Sequence, residues 1–404
     1  MRRVNWIARA AIGVSLLLVT SSTTLAVDGE IADFRILTEQ EAIARDAAEY
    51  AKAYDVSQPE AERRLTMQVE LGDLIGSLQA GNPKTFAGGW IAHEPEHEVV
   101  VAFTGPRSRI VGLAEASAAS PAPLRVVENS AFSLEGLISA SARVSSQLTA
   151  VAPDASMLVD IQSNGLRVLA PAPIPDSVRS AVRMTGHVPV AFEVRPAIRD
   201  SNVYGGHRLT IQGSFPPTTA CTTGFTVRNV VTGTTGVVTA GHCTNTLHYW
   251  HNGTIHYDID FAGVRHDADQ DWQWHFTPVT DSPLFWDGSA YRTVTGTEPR
   301  STMVGDWVCH YGWVTGYSCG TLTSITFQPG YAGACNGVTC HPVWATLEGS
   351  GVRGAEGDSG GPVFSGGRAY GLLKCTAASG SGFICFNTIN YISGINNNLA
   401  VLTG

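Results

Sequence analysis

After the run Gly357-Asp358-Ser359-Gly360-Gly361-Pro362-Val363 the chain contains no histidine and no aspartate. A serine hydroxyl is a poor nucleophile until a base takes its proton and a third group orients that base. The run also fits G-x-S-x-G, a strand-to-helix elbow on an α/β sheet, but there the acid and the histidine follow the serine. With neither residue downstream, that fold is excluded and the base must come from upstream. Thr239-Ala240-Gly241-His242-Cys243 supplies it, 117 residues before Ser359. In a chain with 43 glycines, Gly-Asp-Ser-Gly-Gly could be only a surface turn. The histidine run at this order and distance makes the turn reading the poorer one.

The first residues read as an export signal, 1–26. Arg2, Arg3 and Arg9 flank an apolar core from Ala10 to Val19, and Thr24-Leu25-Ala26 offers small residues for cleavage. The core is shorter than the roughly 20 apolar residues a membrane span needs. No later segment is long and apolar enough, so a secreted, extracellular product with no membrane association after signal removal is expected.

All eight cysteines, Cys221, Cys243, Cys309, Cys319, Cys335, Cys340, Cys375 and Cys385, lie in the rear half of the chain. An even set in an exported protein reads as a disulfide framework. Eight cysteines allow about 105 pairings, and nearest-neighbour pairing is the expectation. There is no CxxC pair to suggest a metal. A net charge of −9 argues against a nucleic-acid partner, which requires a basic face.

At 404 residues the chain should hold more than one domain. From Val27 to about Asn202 the texture is α+β and free of cysteine. Thr38-Glu39-Gln40-Glu41 and Ser57-Gln58-Pro59-Glu60 are capping-box patterns ahead of helical periodicity. Glu98 to Phe103 reads as a strand, Ser156 to Gln162 with Leu166 to Ala170 as a hairpin, Asp176 to Met184 as a helix and Val188 to Val194 as a strand. From 203 to 404 short β runs alternate with Gly, Thr and Asn, the pattern of a sandwich or barrel. One hairpin, Phe225 to Val231 and Val237 to Ala240, delivers His242 at a strand end.

His93-Glu94-Pro95-Glu96-His97 matches H-E-x-x-H, in which two histidines one helical turn apart grip zinc. Pro95 in a helix interior would cost about 3 kcal/mol, and both flanks read as strands. A hairpin turn is the better reading, and neither a metal nor a cofactor is expected.

Thr239-Ala240-Gly241-His242-Cys243 and Gly357-Asp358-Ser359-Gly360-Gly361-Pro362 resemble the histidine and serine boxes of the chymotrypsin-like serine proteases. The run from Val308 to Gly320, bounded by Cys309 and Cys319, is similar to a loop of the streptogrisin and α-lytic protease subgroup. Val203-Tyr204-Gly205-Gly206 resembles the mature start of such enzymes. The resemblance implies an all-β catalytic domain of two six-stranded β-barrels, preceded by an α+β pro-domain that assists folding and blocks the cleft until removed. It further implies a monomeric endopeptidase acting on polypeptide substrates, with its own pro-segment as partner. Ser359 would be the nucleophile, His242 the base, and the N–H groups of Gly357 and Ser359 the oxyanion hole.

The third member must come from Asp258, Asp260, Asp267, Asp269 and Asp271. Asp271 precedes the alternating run Trp272-Gln273-Trp274-His275-Phe276, as the family's aspartate precedes such a strand, and Asp269 is second choice. His266, His275 and His341 read as surface or structural residues. Two departures from the subgroup stand out. No cysteine lies in Val352 to Glu356, so Cys375 needs another partner, and Lys374 occupies the place where a serine usually stands beside the catalytic aspartate. Cys309 is followed by His310 rather than arginine, which makes His310 the expected partner of Asp358. A freed terminus at Val203 is the alternative. A non-catalytic binding protein on the same fold, or an esterase, are the competing functions.

Overall fold

The computed structural model describes residues 35–152, 154–195, 198–200, 206–213, 219–251, 255–277, 281–299, 303–393 and 397–404. The expected signal at 1–26 and the junction at 202–203 lie outside these residues. Among the described residues no helix is long and apolar enough to cross a membrane.

The forward residues are α+β. Helix Glu39–Tyr54 begins at a complete capping box: the Thr38 hydroxyl accepts from the Glu41 N–H, and the Glu41 carboxylate accepts from the Thr38 N–H. Helix Gln58–Gly81 starts with half of that device. Ser57 accepts from the Glu60 N–H, but the Glu60 carboxylate turns outward to Arg63 and Arg64, which hold its pKa down at about 2. Two three-stranded sheets follow. The first joins Phe86–Ala92, Glu98–Phe103 and Leu124–Val127, and the second joins Ser156–Asp160, Gly165–Ala170 and Val190–Val194. Helices Leu134–Val151 and Asp176–Gly186 pack their apolar faces against the second sheet. The helix Leu134–Val151 escapes the sequence reading given above, whereas Asp176–Gly186 was expected within two residues.

The described rear residues are mostly β, with a short 3-10 turn at Ile389–Tyr391. Strands Arg368–Ala377, Pro362–Ser365, Trp307–Gly312, Gly316–Phe327, Trp344–Arg353 and Ser381–Thr388 pair in that order, and the last returns to pair with the first. This closes a six-stranded barrel, although the end of Arg368–Ala377 runs past its neighbour Pro362–Ser365 and keeps an edge there. The other rear sheet runs through eight strands, from Thr219–Thr222 by way of Asp271–Phe276 and Thr235–Thr239 to the C-terminal Leu399–Val401. Four disulfides join sequence neighbours: Cys221–Cys243, Cys309–Cys319, Cys335–Cys340 and Cys375–Cys385. Cys375, deprived of an upstream partner, thus uses the adjacent strand, directly across the ladder from it.

Forward and rear residues share their cores. Ala47, Tyr50, Ala61 and Leu65 of the two forward helices pack in one cluster with Phe225, Trp272, Trp307, Phe364 and Leu372. Ala87, Trp90 and Val100 pack against the barrel interior at Val308, Leu347 and Val363. A backbone bridge from Met157 to Gln328 links the second forward sheet to the rear.

Candidate active site

Strand Thr235–Thr239 carries the chain to His242, and strand Asp271–Phe276 pairs with it so that Thr239 faces Gln273. Gln273 then clamps the histidine run, its amide donating to the carbonyls of Ala240 (2.9 Å) and Cys243 (3.0 Å). Gly241 is dictated by crowding: a Cβ there would lie 2.6 Å from the Arg265 carbonyl oxygen and 2.8 Å from the Trp272 nitrogen. The serine run is tied down as tightly. Thr222 donates its N–H to the Ser359 carbonyl (3.0 Å) and its hydroxyl to the Gly357 carbonyl (3.2 Å), while its own carbonyl accepts from the Thr239 hydroxyl (2.6 Å). One threonine therefore links both runs. Gly360 sits at φ +83°, where a Cβ would meet the Thr239 hydroxyl at 2.2 Å, and Gly357 sits at φ +127°.

His242 lies between Asp271 and Ser359. Its Nδ1 is 2.6 Å from Asp271 Oδ2, its Nε2 is 2.8 Å from Ser359 Oγ, and its backbone N–H donates to Asp271 Oδ1 at 2.8 Å. The Asp271 N–H donates to Asn387 Oδ1 (3.2 Å), and the Lys374 ammonium donates to Asp271 Oδ2 (2.7 Å). Burial alone would raise the pKa of Asp271, but His242 and Lys374 outweigh it and hold the carboxyl well below the carboxylate range. This aspartate stays ionised, as orientation of an imidazole requires.

The other aspartates stand elsewhere. Asp269 accepts from His341 Nδ1 at 2.8 Å, Asp258 pairs with His248, and Asp267 caps the N–H groups of Asp269 and Gln270. His266 lies edge-on to His242 with ring centroids 6.1 Å apart, and burial lowers its pKa. His275 is buried against Gln273 Oε1 (2.9 Å).

The expectation that His310 holds Asp358 is corrected. Asp358 Oδ1 accepts from the N–H groups of Val314 (3.0 Å) and Thr315 (3.3 Å), and Oδ2 accepts from the Thr315 hydroxyl (2.6 Å) and the Ala355 N–H (3.0 Å). Four donors thus surround the fully buried carboxylate. The turn after strand Trp307–Gly312 brings the first three there, and Gly312 leaves room for the carboxylate, since a Cβ at that position would lie 2.1 Å from Asp358. His310 instead places Nε2 against the Arg353 carbonyl (2.5 Å) and the Ser318 hydroxyl (2.7 Å), and burial lowers its pKa. The alternative terminus at Val203 falls outside the described residues.

His93 and His97 flank a hairpin turn between Phe86–Ala92 and Glu98–Phe103, not a helix. Tyr50 and the Gly305 carbonyl occupy the two ring nitrogens of His93 at 2.9 and 2.5 Å.

The comparisons fit this geometry. Residues of this chain are 28% identical over 166 positions to Serine protease 2 of Streptomyces fradiae, covering 38% of this chain and 85% of that protein. Streptogrisin-C of Streptomyces griseus is 30% identical over 257 residues, covering 59% of this chain. The chain is similar to the streptogrisin-type, chymotrypsin-like serine proteases. Streptogrisin-A of the same organism is 28% identical over 176 residues. The matches span 51% of streptogrisin-A and 49% of streptogrisin-C, about half their length. No protein-family model matches the chain. Among solved structures, Cellulomonas bogoriensis chymotrypsin and Thermobifida fusca protease A are each 26% identical with a TM-score of 0.39. Each match covers 50% of this chain and 99% of the other. The resemblance puts Lys374 beside the aspartate, as the structure does, whereas Thr222 and Asn387 carry no sequence signal as neighbours of this site, since each belongs to a strand outside both boxes.

Proposed function

We propose that the chain is a secreted serine endopeptidase, made as a precursor whose residues 27–202 are a pro-segment and whose residues 203–404 are the protease. The carrying observation is His242 within hydrogen-bond reach of both Ser359 Oγ and Asp271. Ser359 Oγ attacks the peptide carbonyl carbon while His242 Nε2 takes its proton. The resulting oxyanion is held by the N–H groups of Gly357 and Ser359, each worth on the order of 3 kcal/mol. Collapse breaks the C–N bond, His242 returns the proton to the leaving amine, and water then hydrolyses the acyl-enzyme through the same base.

Inhibition by the pro-segment has its own support. Strand Ile198–Asp200 pairs antiparallel with Cys375–Ala377, the edge directly after Lys374, in the manner of a peptide added to a sheet. Ser359 has no exposed surface in this arrangement. Removal of 198–200 from that edge would open it to a polypeptide substrate. The four disulfides and the relatives' protease character support an extracellular setting.

A fluorophosphonate probe tests the reading. Processed protein should be labelled at Ser359, label should vanish in Ser359→Ala and fall sharply in His242→Ala, and casein should be cut. Unlabelled processed protein overturns the proposal, and ester turnover without casein cleavage reassigns it to an esterase.

A further inference from the structure

The least expected group at this site is the only lysine of the rear half, Lys374. It stands where the ladder between Arg368–Ala377 and Ser381–Thr388 breaks register: Leu373 pairs with Phe386 and Cys375 with Cys385, leaving Lys374 as the extra residue of a bulge. A bulge re-aims a side chain off the ladder. Here it drives the lysine inward, where its side chain is 1% exposed. The ammonium lies 4.8 Å from the centroid of the Trp344 ring and 2.7 Å from Asp271 Oδ2. That oxygen is the one that His242 Nδ1 contacts at 2.6 Å. A lone buried ammonium is strongly disfavoured, and a carboxylate with good hydrogen-bond geometry is what makes one tolerable. Lys374 and His242 thus compete for the charge of a single carboxylate.

We propose that Lys374 is a positioning residue of the catalytic site: its ammonium fixes Asp271 and offsets its charge, so that His242 remains the free base at lower pH than Asp271 alone would permit. This rests on the triad reading above.

The sign follows from electrostatics. An aspartate beside an imidazole favours the imidazolium; a cation on the same aspartate opposes it. At a separation of about 4 to 5 Å, two like charges at an effective dielectric near 20 interact strongly enough to move a titration by about one unit or more. Among the described residues, the charged or titratable groups seen around His242 include Asp271 on strand Asp271–Phe276, Lys374 on Arg368–Ala377 and His266 on Ile255–His266. Asp358, on the serine run, is turned away to its own four donors. Lys374 makes a direct polar contact with Asp271 Oδ2 from a strand outside the His242 and Asp271 pairing.

The test is the acid limb of kcat/KM against pH, measured on the processed product of the full chain. Lys374→Met keeps length and removes charge, and its limb should move upward by about one pH unit or more. Lys374→Arg keeps the charge and should leave the limb near that of the unsubstituted protein. A residue that merely fills space beside Trp344 would lower activity or stability in both variants with the limb unmoved, and that result overturns the proposal. Should Lys374→Met fail to fold, the imidazole titration of His242, followed by NMR in the unsubstituted protein, decides: a value at or below the ordinary histidine value of about 6.5 supports it, and one raised by about a unit or more, as an unopposed carboxylate would give, overturns it. Loss of Ser359-dependent turnover in the unsubstituted protein would instead sink the protease reading, so the two failures are distinguishable.

Discussion

Asp358 illustrates how much a single carboxylate demands of its surroundings. It sits next to Ser359, fully buried, and is held by three backbone N–H groups and one hydroxyl. Hydrogen bonds to a charged acceptor contribute about 1.5–3 kcal/mol each. Thr315→Val should therefore destabilise the protein by about 2 kcal/mol and lower kcat/KM, because the serine run and the Val314–Thr315 turn are cross-braced through this carboxylate. Urea unfolding with parallel assays measures both, and an unchanged midpoint would show that the hydroxyl bond adds nothing. The sequence made Asp358's need for a partner legible but pointed to His310. Residue adjacency to Cys309 placed His310 on the right strand, and on the same face as Gly312, which abuts Asp358, but its Nε2 is engaged by the Arg353 carbonyl and the Ser318 hydroxyl instead. The chain instead met the need from a turn, whose backbone donors carry no sequence signature.

At the scale of elements, helix Glu39–Tyr54 is docked by a buried ionic knot. Arg292 on strand Tyr291–Thr293 lies between Asp46 (2.9 Å) and Asp287 (2.7 Å), all three side chains without exposed surface. Asp46 also accepts from Tyr317 (2.5 Å) and the Gly366 N–H (2.6 Å). Removing one partner of a buried pair costs about 3–5 kcal/mol, since the other charge is left behind. Asp46→Ala should accordingly lower the thermal midpoint of the full chain and the yield of processed protein; equal midpoints would mean that the helix docks by its apolar face alone. The capping box at Thr38 announced this helix in the sequence. Its partner was not announced, because Asp46 and Arg292 are 246 residues apart. The hairpin of Thr226–Asn229 and Thr235–Thr239 was legible for the opposite reason: a Gly and Thr turn between short apolar runs is a local signal.

For the whole molecule, burial of imidazoles sets a limit in acid. His93, His97 and His275 are each pushed down to about 4, mainly by burial. A histidine whose folded pKa is depressed binds fewer protons when folded than when unfolded. Its stabilisation is complete above the unfolded value of about 6.5 and is lost as pH falls toward about 4. Each group contributes up to about 3 kcal/mol to that slope, as an order of magnitude. Thermal midpoints should fall through this window, and His275→Gln should flatten the fall; a variant whose curve parallels that of the unsubstituted protein would exclude His275 from it.

What the sequence determined by itself was chemistry confined to short runs. His242 and Ser359 were marked by the contiguous residues around them, whereas the reason for Gly241 and Gly360 appears only in the fold, where a side chain at either would strike Arg265 and Trp272 or Thr222 and Thr239 within 3 Å. Cys309 with Cys319 and Cys375 with Cys385 paired because each couple stands on two strands joined by a short turn. Among the aspartates the strand pattern favoured Asp271 over Asp269, and strand pairing puts Asp271 beside His242 and Asp269 beside His341. The tertiary structure alone decided that Lys374 turns inward to Asp271, that Thr222 braces both boxes, and that forward helices and rear strands share a core. Each of these depends on a bulge, a cross-strand register or a long-range contact, and such features are set by how strands and helices meet rather than by the order of residues within them.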